Sequence, residues 1–67
     1  MNAEQYQTLL RDNYNKILLS KAETAKELNV AEATIDRLRN NGSLNSKKVM
    51  GKVMFSIDEI ARFLAEA

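Results

Sequence analysis

The chain has 67 residues, enough for one domain, and a chain this short buries only about 60% of the surface it exposes when unfolded. It has no cysteine and no histidine, which removes disulfides, thiolate metal sites and the usual general base. Hydrophobic residues at 45% and charged residues at 28% describe a globular chain, and its net charge is +1. No apolar run reaches the roughly 18 residues of a membrane span. The polar start from Met1 to Leu10, with Glu4, does not read as a signal peptide. The expectation is a single cytoplasmic domain that is not an enzyme, with no cofactor, metal or small-molecule substrate.

The first element is a helix from Asn2 to about Asn13, with Tyr6, Leu9, Leu10 and Tyr14 on one face. Two readings of that face stand side by side. It covers the small core, or it supplies a self-association contact. Ile17-Leu18-Leu19 is long enough for one brief strand or an extended lead-in. Ser20-Lys21-Ala22-Glu23 is a capping box, so a second helix starts near Lys21, with Ala22, Ala25 and Leu28 as its apolar stripe. Asn29 tolerates the left-handed backbone that ends many helices. Val30 is expected to point inward. A third helix follows from about Glu32 to Asn40, with Ile35 and Leu38 inward. Asn40-Asn41-Gly42 ends it.

Lys47 to Phe55 predicts a tight hairpin, with Gly51-Lys52 as a type II′ turn and with Val49 and Phe55 inward. An isolated hairpin is marginal, so it must lean on the helices. Ser56-Ile57-Asp58-Glu59 is a second capping box. It opens a last helix to about Glu66, with Ile60, Phe63 and Leu64 on one face. The fold class is therefore mainly α with a small β-hairpin. Two short helices joined by a tight turn make a helix-turn-helix, and the hairpin after them can serve as a wing.

Charge is unevenly placed. Met1 to Asp36 carries −2, Arg37 to Lys52 carries +5 with no acidic residue, and Val53 to Ala67 carries −2. A one-sign window of this length is a candidate anion-binding face, weighed against an ordinary solvated surface.

The run LSKAETAKELNVAEATIDRL (Leu19 to Leu38) resembles the helix-turn-helix of the excisionase and MerR-type winged-helix DNA-binding domains. Glu23, Ala25, Leu28, Val30, Thr34, Ile35, Arg37 and Leu38 stand in matching places. Gly42 and Leu44 resemble the family's Gly-x-Leu. Val49, Gly51, Lys52 and Phe55 resemble its wing, and Glu59, Ile60 and Leu64 its closing helix. The likeness covers roughly Leu18 to Leu64, about 70% of the chain. It implies one winged helix-turn-helix domain over 1–67, with 1–16 as a helical extension and 18–66 as the family-like core. Leu28, Val30, Ile35 and Leu38 would wedge the two helices apart, and Ala25 must be small where they cross.

The implied partner is double-stranded DNA. The implied role is an excisionase-like recombination accessory factor, or a small transcriptional regulator of a mobile element. Glu32, Ala33, Asp36, Arg37 and Asn40 would line the recognition helix. Arg37 would reach a guanine edge or a phosphate, or else form a surface ion pair with Glu32 or Asp36. Glu32 would accept from a cytosine amino group. Ser20, Lys21, Arg39, Asn41, Lys47, Lys48 and Lys52 would hold the backbone. Ala31 replaces the family's capping serine, and Met54 a common wing arginine. Glu32 and Asp36 bring negative charge to a face that should meet phosphate. So small a module needs a second copy, cooperative assembly on DNA, or a neighbour such as an integrase. The alternative is a protein-interaction adaptor on the same scaffold, with Tyr6, Leu10, Met50 or Met54 exposed as one apolar patch.

Overall fold

A computed structural model describes residues 1–67. In chain order the elements are α1 (Ala3–Tyr14), β1 (Leu18–Ser20), α2 (Lys21–Leu28), α3 (Glu32–Asn40), β2 (Lys47–Val49), β3 (Lys52–Ser56) and α4 (Ile57–Glu66). The protein is thus mainly helical, with a small three-stranded antiparallel sheet ordered β1-β3-β2.

Local chemistry sets the helix ends. Asn2 caps α1 through a reciprocal pair: its side chain accepts from the Gln5 amide, and the Gln5 side chain accepts from the Asn2 amide, each at 2.9 Å. Asn15 and Asn29 close α1 and α2 with left-handed backbones, φ 53° and 57°. Ser20 forms the expected box with Glu23. The Ser56 box is only half made. The Ser56 hydroxyl accepts from the Glu59 amide at 3.0 Å. The Glu59 carboxylate turns instead to the Asn45 amide and to Arg62, because those donors lie on the loop and on its own helix.

The sheet joins distant parts of the chain. β3 is central, and β1, which precedes the helix pair, lies along its free edge. Leu19 faces Phe55 across this pair, and both are fully buried. The Ile57 amide donates to the Ile17 carbonyl at 2.9 Å and carries the pairing one step further. The hairpin therefore rests on a third strand as well as on helices.

One core holds the elements together. It takes Leu10 from α1, Leu19 from β1, Ala25 from α2, Ile35 from α3, Phe55 from β3, and Ile57, Ile60 and Ala61 from α4, with Leu44 from the connector. α1 lies along α4, and its Tyr6 and Tyr14 pack against the core. The Tyr14 hydroxyl also donates to Glu27 of α2 at 2.8 Å. Its pKa is raised above the ordinary tyrosine value, first by that hydrogen bond. In α2 the buried positions are Thr24 and Ala25, and Ala22 is exposed, contrary to the expected stripe. The Thr24 hydroxyl reaches the interior satisfied, because it donates to the Ser20 carbonyl at 2.8 Å.

Candidate nucleic-acid interface

α2 and α3 are joined by Asn29, Val30 and Ala31. The Val30 amide donates back to the Ala25 carbonyl at 2.9 Å, the closure typical of a left-handed helix end. That closure leaves the Val30 side chain 38% exposed, so the expected inward position is corrected. The wedge between the helices is made by Ile35, fully buried, with Leu28 and Leu38 half-buried against the same core. Ala31 leaves α3 with no side-chain cap, as its residue type dictates.

Glu32, Ala33, Arg37 and Asn40 are exposed along α3, and Asp36 is half-exposed on the same stripe. These recur at helical spacing on the face away from Ile35. Asp36 is not free. Lys21 at the start of α2 reaches its two carboxylate oxygens at 3.0 and 3.3 Å, and Arg39 reaches one of them at 3.5 Å. Lys21 first, then Arg39, holds the Asp36 carboxyl below the usual carboxylate range. Two expected phosphate holders are thus already engaged with an internal anion. The Arg39 Nε is also buried without a partner. Arg37 pairs with neither Glu32 nor Asp36 and takes part in no ion pair.

The Ser20 amide donates to Glu23 at 2.9 Å and the Ser20 hydroxyl accepts from the Glu23 amide at 3.1 Å, so both serve the capping box. The Asn41 side chain accepts from the Ser43 amide at 2.9 Å and shapes the turn out of α3. From there Arg62 donates to the Ser43 carbonyl at 3.0 Å, and Glu59 accepts from the Asn45 amide at 2.9 Å. Leu44 is buried between these two anchors in sequence. Arg62, Glu59 and Asn45 therefore position the connector from α3 to the hairpin. Sequence reasoning did not single them out for this, because their partners lie 14 and 19 residues away.

The hairpin turn lies one residue earlier than expected. Val49 pairs with Lys52, so Met50 and Gly51 are the two loop residues. Both have positive φ, 53° and 82°, as a type I′ turn requires. Register then sorts the lysines. Lys47 lies opposite Met54, and Val49 opposite Lys52, on one face. Lys48 lies opposite Val53, on the face that also carries buried Phe55. Lys47 and Lys52 thus share a face and Lys48 takes the other, all three exposed. Val49, expected inward, is exposed like the rest of edge strand β2, which packs chiefly against β3.

Taken over the chain, the ion pairs separate two kinds of cation. Of ten basic residues, Arg11, Lys16, Lys21, Arg39 and Arg62 each pair with a carboxylate. Lys26, Arg37, Lys47, Lys48 and Lys52 pair with none, and all five are exposed. Four of these five come from α3 and the hairpin. Lys26, on the exposed side of α2, is the one that sequence reasoning missed, because it lies outside the basic window.

The apolar positions on the surface are dispersed along the chain. Leu10 is 2% exposed, Tyr6 and Tyr14 pack on the core, and Met54 is half-buried. Of the expected self-association face only Leu9, 47% exposed, stands clear of the core. No group of three or more metal-ligating side chains converges, and no helix is long and apolar enough to cross a membrane. No protein-family model, curated protein or solved structure matches the chain.

Proposed function

We propose that this chain is a double-stranded DNA-binding module on a winged helix-turn-helix scaffold. In this reading α2 and α3 form the helix-turn-helix, α3 is the recognition helix, and β2–β3 is the wing. The observation that carries the proposal is the sorting of cations: four of the five unpaired, exposed basic residues are Arg37, Lys47, Lys48 and Lys52. Exposed cations without internal partners are the groups that exchange counterions for phosphate most cheaply.

The parts have distinct tasks. Arg37 reads a guanine edge or takes a phosphate, and Asn40 can pair with adenine. Glu32 accepts from a cytosine amino group, which costs affinity and gives selectivity. The three hairpin lysines hold backbone phosphates and set register. About four such contacts make a weak module at physiological salt. Useful binding therefore involves a second copy, cooperative assembly on DNA, or a neighbouring protein such as an integrase. The resemblance in Leu18 to Leu64 supports a cytoplasmic excisionase-like accessory factor or a small regulator of a mobile element.

Titration of the ¹⁵N-labelled protein with duplex DNA, followed by amide shifts, tests this reading. Shifts concentrated at Arg37, Asn40, Lys47, Lys48 and Lys52 are expected. Shifts confined to α1 and α4, or none at all, would contradict it.

A further inference from the structure

The tip of the hairpin is occupied by a residue that neither the backbone nor the core asks for. The first loop position of a type I′ turn favours asparagine, aspartate or glycine, because its φ is positive. Met50 takes that position with φ 53°. A side chain with a Cβ is disfavoured there. Met50 is also 97% exposed, the most exposed of the large hydrophobic residues. Nothing stands within 4 Å of the point where a Gly51 Cβ would be, so the tip projects freely. Folding thus gains no burial from this methionine and places it in an unfavourable conformation. An outlier of this kind points to a task outside the folded chain.

The surroundings say which partner fits. Lys47 and Lys52 lie on one face of the ribbon and Lys48 on the other, all exposed and none paired. An apolar tip with cations on both faces matches a cleft whose two walls are anionic. The minor groove of duplex DNA is such a cleft, about 6 Å wide between phosphate strands. A flat anionic membrane would be met by one face only. Methionine is unbranched and adaptable, and it is among the side chains that wedge between base steps from the minor groove.

We propose that the Met50–Gly51 tip is a minor-groove wedge. Met50 inserts at a flexible pyrimidine–purine step, Lys47, Lys48 and Lys52 hold the phosphates on either side, and the duplex bends away from the wedge. This inference rests on the DNA-binding reading and adds a mode of deformation to it. The wedge makes the protein selective for deformable steps at positions where it makes no base-edge hydrogen bond.

The test compares the full chain with Met50→Asn and Met50→Leu on end-labelled duplexes of about 24 base pairs. One duplex has a central TA step and the other a stiff A-tract, and energy transfer between the ends reports bending. Wild type and M50L bend the TA duplex, by an angle in the range of about 20–90°, more than they bend the A-tract. M50N binds with affinity within a few-fold of wild type and leaves the duplex straight. Its melting temperature rises by about 4–8 °C, because asparagine suits the turn. That opposite movement of stability and bending separates a wedge from a structural filler. Equal bending by M50N and wild type would overturn the wedge. So would tight binding by wild type without bending, or Met50-dependent binding to phosphatidylserine vesicles in place of bending. Those results leave the DNA-binding reading standing or replace the partner. Absence of any wild-type binding at low salt would remove both proposals.

Discussion

Lys21 and Asp36 join the first turn of α2 to the exposed stripe of α3 through a 3.0 Å ion pair, and Arg39 shares the same carboxylate at 3.5 Å. In the DNA-binding reading, Asp36 occupies two cations that a phosphate would otherwise take. Asp36→Asn should release both. Two more phosphate contacts steepen the salt slope by about 1.8, so the variant's advantage over wild type should be about 12-fold larger at 50 than at 200 mM salt. Asp12→Asn makes the same change in net charge on α1, away from any ion pair, and should produce no such change in slope. Binding isotherms at the two salt concentrations check this. Equal behaviour of the two variants would show that Asp36 acts through net charge alone.

Three carboxyls ionise more readily in the folded chain than in the unfolded one. Arg62 first, and the Asn45 amide, lower Glu59. Lys16 first, and the Ser20 amide, lower Glu23. Lys21 first lowers Asp36. The unfolded chain therefore takes up protons first as pH falls. Stability is complete above the ordinary carboxylate range and is lost as pH falls through the depressed values. The urea midpoint should hold steady from pH 7 to about 5 and then decline. Glu59→Gln keeps an acceptor for the Asn45 amide and should flatten part of that decline. A midpoint that rises on acidification would contradict the sign.

Leu10 makes α1 part of the domain. It is 2% exposed, against 47% for its neighbour Leu9. Leu10→Ala should cost about 2–5 kcal/mol, a large share of the stability of so small a chain. Leu9→Ala should fall within about 0.5 kcal/mol. Equilibrium urea unfolding measures both. Near-equal costs would mean that α1 is a loosely attached extension.

α3 begins without a side-chain cap, since Ala31 has no oxygen to offer. Its N-cap backbone already has the extended geometry of a capping residue, φ −73° and ψ 154°. Ala31→Ser should stabilise the protein by about 1 kcal/mol, which corresponds to about 4–8 °C in melting temperature. Thermal unfolding followed by circular dichroism reads the shift, and no gain would mean that the terminus is already satisfied.

What the sequence disclosed depended on range. Ser20 with Glu23, Asn29 and the Ser56 hydroxyl act within a few residues, and the helices they bound lie where the sequence puts them. The hairpin's register hinged on a single glycine, which suits either the first place of one turn or the second of another. Gly51 in the first place shifts the loop by one residue and leaves Met50 in the strand instead of at the tip. The pairing of β1 with β3 joins Leu19 to Phe55, 36 positions apart, and periodicity carries no trace of it. The same holds for Lys21 and Asp36, whose attraction exists only once α2 and α3 have folded together. The candidate site was legible as a list of cations, but which of them are free was not.

The most direct test of the DNA-binding account is fluorescence anisotropy with random-sequence duplex at 50 and 200 mM salt, comparing wild type with the variant in which Lys47, Lys48 and Lys52 are alanine. Four phosphate contacts predict a wild-type loss of affinity of about 150-fold between the two conditions, against about 3.5-fold for the variant. Absence of binding by folded wild type at 50 mM, or a variant with the wild-type salt dependence, would contradict it.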